Sequence, residues 1–313
     1  MTFIFIFYKI ILMKKYIFLF IFFALFSQEY IGEFEELGTS ACGVGFGQAM
    51  VGLKKDGSSF YYNPSLTCLH NKKEFYFYHS ENYGGEFRNE YFSFILPKEK
   101  YSLGFSLYAN LIPNIPYCSL PDQNSPPNES TNKPIFVKNV FAYDLIPYFN
   151  FAFFLKDFLI FGFNMKIIYR TIYTYSGFGG GIDFGFSFIP EKDILLGLRV
   201  RNITSSPIIW SDKKIEKIKP NLAIGISKNF GALTLAYEGE LSLNKLPDNN
   251  SFGLEYKIKE LIALRVGFYH HCFSFGFGIN YRSIYLDYGY ETKKYLESDL
   301  PASTLKVSGG VKF

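Results

Sequence analysis

The chain has 313 residues, with 32 Lys and Arg against 28 Asp and Glu, a net charge of +4. That near-balance, with basic residues clustered only in pairs such as Lys54-Lys55 and Lys72-Lys73, excludes the basic footprint of a nucleic-acid-binding protein. Hydrophobic residues make up 48% of the chain. Beyond residue 27, however, no apolar run reaches the roughly 20 residues of a membrane helix, so a helical bundle in the membrane is excluded too.

Residues 14–27 read KKYIFLFIFFALFS. Lys14 and Lys15 precede an apolar run from Tyr16 to Phe26, with small residues at Ala24 and Ser27, which is the make-up of a cleaved secretory signal. Met13 directly precedes the lysines. It reads as the true start, with 1–12 a mis-called extension and 13–27 the signal; the alternative keeps Met1 and retains residues 3–27 as an anchor.

Residues 28–71 are expected to form a periplasmic or luminal segment. After a polar stretch, 38–66 is rich in small residues: GTSACGVGFGQAMVGLKKDGSSFYYNPSL.

Residues 72–313 change texture, with short strand-like segments following one another and almost no helical periodicity. Phe273, Phe275, Phe277, Ile279 and Tyr281 alternate with Ser274, Gly276, Gly278 and Asn280. Ile182, Phe184, Phe186 and Phe188 alternate in the same way with Asp183, Gly185 and Ser187. Side chains in a strand alternate between faces, so one face is aromatic and the other polar and small. A bias in base composition would raise Phe and Tyr, which reach 37 and 25 residues, but would not make them alternate. A soluble sandwich also alternates, but Phe and Tyr outside with Gly and Ser inside is the pattern of a transmembrane barrel.

About 14 strands are expected, at 73–80, 87–96, 101–111, 138–155, 158–170, 178–189, 194–203, 220–229, 232–242, 251–258, 261–269, 272–281, 283–290 and 303–313. Short turns should alternate with longer outer loops at 112–137, 171–177, 204–219, 243–250 and 291–302. The loop at 112–137 carries Pro113, Pro116, Pro121, Pro126, Pro127 and Pro134 and is expected to form neither strand nor helix. The fold class is therefore all-β, a transmembrane antiparallel barrel.

No nucleophile elbow, HExxH pair or phosphate loop is present. No catalytic residue, metal site or cofactor is expected, and the chain does not read as an enzyme. Cys42, Cys68, Cys118 and Cys272 lack ligand spacing, and a disulfide among them cannot be deduced. Of the four histidines (His70, His79, His270 and His271), the tandem pair reads as a loop tip. Arg199, Arg201, Glu238, Glu240, Arg265 and Asp287 fall on inward faces, where such charges pair with one another and hydrate. Phe313 ends the last strand.

The segment 38–66 resembles the N-terminal segment of PorV/PorQ-type outer-membrane proteins, which belong with the FadL-like fatty-acid transporter barrels. The carrying residues are Gly38, Gly43, Gly45, Gly47, Ala49 and Asp56, then Tyr62-Asn63-Pro64-Ser65-Leu66. Ser65 stands where the family usually has Ala, and Lys54 and Lys55 stand before Asp56 where it favours an acidic pair. The resemblance implies a 14-strand barrel in a bacterial outer membrane and a hatch plugging its lumen, with Gly43, Gly45, Gly47, Asp56, Asn63 and Pro64 as the hatch motif. It also implies Phe313 as the aromatic terminus read by the barrel-assembly machinery. The partners implied are outer-membrane lipid and secretion-system or secreted proteins. The function implied is non-catalytic, in protein secretion or surface assembly. The alternative is passive, FadL-like transport of a hydrophobic small-molecule ligand such as a long-chain fatty acid.

Overall fold

The computed structural model describes residues 33–35, 37–82, 85–128, 131–242, 245–269, 271–292, 294–295, 298–301 and 305–313. The expected signal at 13–27, the extension at 1–12 and His270 lie outside the described residues.

Fourteen strands make the wall: β1 Glu74–Asn82, β2 Phe87–Pro97, β3 Tyr101–Ser119, β4 Ile135–Lys156, β5 Leu159–Ile172, β6 Tyr175–Glu191, β7 Ile194–Arg201, β8 Asn221–Phe230, β9 Leu233–Ser242, β10 Lys245–Ile258, β11 Ile262–Tyr269, β12 Cys272–Tyr281, β13 Ile284–Glu291 and β14 Leu305–Lys312. Each pairs antiparallel with the next, and β14 returns to β1, with Glu74 opposite Lys312 and Glu81 opposite Leu305. The sheet is therefore a closed ring with no free edge, which is what a sheet in hydrocarbon requires, since lipid offers no partner to an open N–H or C=O.

The alternation seen in the sequence sets the two faces. On β1, Tyr76 and Tyr78 are buried while Phe75 and Phe77 are exposed. On β12, Ser274 is buried, while Phe273, Phe275, Phe277 and Ile279 are exposed. Large apolar side chains are exposed on thirteen of the fourteen strands, among them Phe105, Phe149, Met165, Ile224, Leu254, Leu264, Leu286 and Val311, and on β7 they are half-buried. No helix among the described residues is long and apolar enough to cross a membrane.

Connections at the end holding Phe313 are two or three residues long, as at 98–100, 157–158, 231–232 and 282–283. The opposite end carries longer segments at 120–134, 202–220 and 292–304, but the loops expected at 171–177 and 243–250 shrink to two residues because the strands run on. Within 202–220, Ile208–Trp210 and Ile215–Glu216 form a small hairpin that adds to β6, with Gly177 opposite Trp210.

The stretch 112–137 is corrected: its first and last residues are strand. β3 reaches Ser119 and β4 starts at Ile135, paired as a two-stranded ribbon with register shifts after Ile112 and Tyr117 and Asn114 at φ 60°. The prolines fit because β2 gives out at the pair Arg88–Leu111. Beyond it one side of β3 has no strand neighbour, and Pro113 lies in the register shift between Ile112 and Ile115, an edge and a bulge being where a strand tolerates proline. At about 3.3 Å per residue and a tilt near 40°, about ten residues cross a membrane band of about 25 Å. β4, with 22 residues, has about twice that length.

A plug in the lumen

Residues 37–70 lie inside this ring, and nearly all are buried. A short helix, Ala41–Gly45, is capped by Ser40, whose Oγ accepts from the Gly43 N–H at 2.9 Å. Ser40 Oγ in turn donates to Asp56 at 2.5 Å, and Asp56 also accepts from the N–H (3.0 Å) and Oγ (2.5 Å) of Ser58. Asp56 thus ties the two halves of the plug together. Burial pushes its carboxyl up to about 6, and the serine hydrogen bonds hold it from rising further. Gly43 packs where a Cβ would come within 2.9 Å of the Tyr62 hydroxyl.

Asn63 is extended (φ −153°, ψ 114°), as a residue before proline should be, and Pro64 opens the 3-10 helix Pro64–Leu69. The Asn63 side chain caps that helix by accepting from Ser65 N–H and Oγ. Its amide donates to Val51 C=O at 2.8 Å inside the plug and to Phe186 C=O at 3.1 Å in the wall. Asn150 of β4 donates to the Pro64 carbonyl at 2.9 Å. Asn63 and Pro64 therefore join three pieces of chain at once.

Several wall glycines lie where the plug backbone touches the wall. A Cβ on Gly197 would fall on the Val51 carbonyl oxygen, and one on Gly225 would sit 2.5 Å from Gly52 N. A Cβ on Gly267 would fall on Gly47 N, and one on Gly276 would come within 2.9 Å of Gly45 Cα. Gly47 also holds φ +58°, a second reason for glycine there. These four glycines on the inner face are thus backbone-to-backbone seats for the plug.

Charged wall residues hold the plug between those seats. Glu238 accepts from Met50 N–H and Val51 N–H, both at 2.8 Å. Arg199 pairs with Glu240 at 2.9 Å and reaches Tyr62 C=O at 3.4 Å. Arg201 donates to Tyr61 C=O at 2.8 Å and Glu35 C=O at 3.3 Å. Arg265 bridges Glu255 (2.7 Å) and Asp287 (2.6 Å), and Glu255 also takes Lys55 of the plug at 2.7 Å. Of these wall charges, Glu238, Arg199 and Arg201 hydrogen-bond the plug backbone directly, while Glu240 and Arg265 pair with charges of neighbouring strands. Asp287 completes the set through Arg265.

Cys42, Asp56 and Asp287 bring their ligand atoms within 4.8 Å of one another. The carboxylates are already engaged by Arg265 and the two serines, so this cluster is explained without an ion. The four cysteines are unpaired.

Several holding residues were not legible in the sequence. His70 lies between Ser59 Oγ (2.9 Å from Nε2) and Glu74 (3.0 Å from Nδ1), and Tyr285 OH donates to the other Glu74 oxygen. Burial, with Lys54 nearby, pulls His70 down to about 4. At the start of the described chain, Glu35 pairs with Lys166 at 2.8 Å, and Lys166 also reaches Asp183 at 3.2 Å. Tyr76, Tyr78, Tyr91, Tyr108 and Tyr148 turn a tyrosine-rich wall inward against Tyr61 and Tyr62. Glu-His spacing of four residues could have suggested the Glu74 pair. The inward tyrosines were hidden because β1 is aromatic on both faces.

Phe313 is exposed at the rim, with its ring stacked on Phe94. Its N–H donates to Lys73 C=O at 3.0 Å, which ties the end of β14 to the residue just before β1. His79 lies on β1 beside Glu90, at 2.7 Å.

A cleft above the helix Ala41–Gly45, lined by Val44, Gly47, Gln48, Tyr269, Cys272, Ser274 and Glu291, has room for about one water, about 10 Å³.

No protein-family model matches the chain, and no curated protein matches it. Solved structures do. The toluene transporter TodX of Pseudomonas putida superposes with a TM-score of 0.59 at 11% identity, over 92% of this chain and 98% of that one. The chain has the fold of the FadL- and TodX-type barrels. A FadL homologue from Pseudomonas aeruginosa gives a TM-score of 0.58 at 12% identity, over 88% of this chain and 98% of that one. The monoaromatic hydrocarbon channel CymD gives 0.59 at 12% identity, with the same two coverages. None of these three is described as a PorV- or PorQ-type protein.

Proposed function

We propose that the chain is a bacterial outer-membrane barrel that lets hydrophobic small molecules pass without an energy source, with residues 37–70 serving as a movable plug. The observation that carries this reading is the seating of the plug. It is held by backbone contacts at glycines and by separate side-chain hydrogen bonds and ion pairs rather than by a strand ladder, with no disulfide to the wall. Such a segment can shift without unpairing any strand of the ring. TodX and CymD, which share the fold, are described as a toluene transporter and a monoaromatic hydrocarbon channel, which favours a hydrophobic solute over a secreted protein. The test is uptake of radiolabelled toluene and oleate by cells that carry the protein in their outer membrane, against cells that lack it. Faster uptake of either supports the reading. Equal uptake of both, with the barrel present and folded, removes it.

A role in secretion or surface assembly is the second reading, and one observation favours it. The ribbon 112–119 with 135–141 stands beyond the neighbouring strands and exposes Ile112, Ile135, Phe136, Val137 and Phe141. An apolar ribbon outside the ring suits a protein partner. Recovery of a secreted or secretion-system protein with the intact barrel, lost when the ribbon is removed, would favour this reading over transport.

A further inference from the structure

Tyr61 belongs to the plug, but most of its surroundings belong to the wall. Its ring stacks on Tyr108 at 5.7 Å between centroids and 17° between planes. Tyr91 and Tyr148 meet it edge-on at 6.0 and 6.2 Å. Tyr62 does the same from the plug at 5.1 Å, and the Arg201 guanidinium lies 4.3 Å from the ring centroid. The Tyr61 hydroxyl donates to the Glu35 carbonyl. All of these rings are buried.

Each contact selects for something. The stacked ring and the three edges favour a flat π-system over an aliphatic chain. The guanidinium favours an electron-rich ring. The Glu35 carbonyl accepts a hydrogen bond from a hydroxyl. The cage is also built by the strand ladder, since Tyr91 stands opposite Tyr108 and Tyr108 opposite Ile146, two residues from Tyr148 on the same face.

We propose that this compartment is a binding site for a single-ring phenol, filled here by the protein's own Tyr61, and that a phenolic ligand takes the place of Tyr61 as the plug shifts. The inference rests on the channel reading, because only a moving plug vacates the cage, and it narrows the solute class beyond that reading. A plain aromatic hydrocarbon satisfies the rings but leaves the hydroxyl's place at Glu35 unused. An aliphatic alcohol does the reverse, and a fatty-acid chain satisfies neither.

The test uses the purified full chain in detergent, with p-cresol as the probe because it reproduces the tyrosine side chain. Tyr61→Ala opens the cage. Calorimetry is expected to show saturable p-cresol binding at least tenfold tighter in Tyr61→Ala than in wild type, where Tyr61 competes. Toluene should bind the variant about 3- to 10-fold more weakly than p-cresol, the worth of one hydrogen bond. Cyclohexanol should bind more weakly still. A folded variant that binds p-cresol no better than wild type, or binds cyclohexanol equally well, overturns the site.

Should Tyr61→Ala give no heat-modifiable barrel, Tyr61→Leu carries the same comparison, because a leucine competes poorly for an aromatic cage. There p-cresol must expose the plug to protease at a lower concentration than in wild type, and equal concentrations overturn the site. Uptake is read separately. A barrel that carries hydrophobic solutes but binds no phenol loses only this site, and one that binds phenol but carries nothing loses only the channel.

Discussion

Asp56 and His70 titrate in opposite senses within one plug. Asp56 is raised by burial from 3.8 to about 6, so the seated plug holds its proton where the released plug does not. That contribution is present below about pH 3.8 and is lost as pH rises through 6. His70 is lowered by burial from 6.5 to about 4, so its contribution is present above about pH 6.5 and is lost as pH falls towards 4. Between pH 4 and 6 the two slopes oppose each other, so removing either group tilts the pH dependence of plug release. Relative to wild type, Asp56→Asn should loosen the plug more as pH falls from 6.5 to 4. His70→Gln should loosen it more as pH rises from 4 to 6. Hydrogen exchange of residues 37–70 across this range measures both, and parallel pH curves for the two variants would contradict the assignment. Gly197 supplies a second residue-scale expectation. The Cβ of Gly197→Ala would meet the Val51 carbonyl, which is backbone and cannot swing aside. Overpacking of about 1–3 kcal/mol should unseat the plug while the ring persists. Faster proteolysis within 37–70, with the heat-induced gel shift unchanged, is the expected result.

At the scale of elements, the strands were legible and their ends were not. Alternation of large aromatics with Gly and Ser locates a strand because the two faces meet lipid and plug, as on β6 and β12. It cannot say how far a strand runs once it leaves the wall, because there both faces meet solvent. That is why 112–119 looked like a proline-rich loop, although β4 pairs with it as far as Ser119. Replacing residues 113–140 by a two-residue turn should therefore leave the barrel closed, because β2 and β5 pair only with the parts below. An unchanged gel shift on boiling checks it. The segment at Phe34 and Glu35, which straps the chain ahead of the plug to the wall through Lys166, was invisible for another reason. Its ion pair joins residues 131 apart in the chain, and no local pattern marks such a partner. Lys166→Met leaves the buried Glu35 carboxylate without its cation, a loss of about 3–5 kcal/mol. Arg170 lies between Phe34 (4.0 Å) and Trp210 (5.9 Å), so Trp210, the sole tryptophan, should report release of the strap as a red-shifted fluorescence. An unshifted spectrum in the folded variant would place the hold elsewhere.

For the whole molecule, the division between ring and plug follows from two different kinds of bonding. The ring is a continuous ladder whose every strand has two neighbours, so opening it means unpairing a full strand in lipid. The plug is held by separate contacts, each worth about 1.5–3 kcal/mol when hydrogen-bonded to a charge. Heating or denaturant should then act on the plug first and the ring last. The same difference made the ring readable from periodicity while the plug needed a motif. Ring strands repeat one rule fourteen times, whereas Asp56, Asn63 and Gly47 each answer a single local demand. Ion flow separates the two parts directly. In a planar bilayer the wild type should conduct little while the plug stays seated, and Gly197→Ala should conduct severalfold more, because its ring is intact and its plug is not. If the variant conducts no more than the wild type while its plug is shown to be protease-sensitive, then the inward side chains of the ring close the lumen by themselves. The tyrosine-rich side, from β1 to β4, would be the first place to look for that closure.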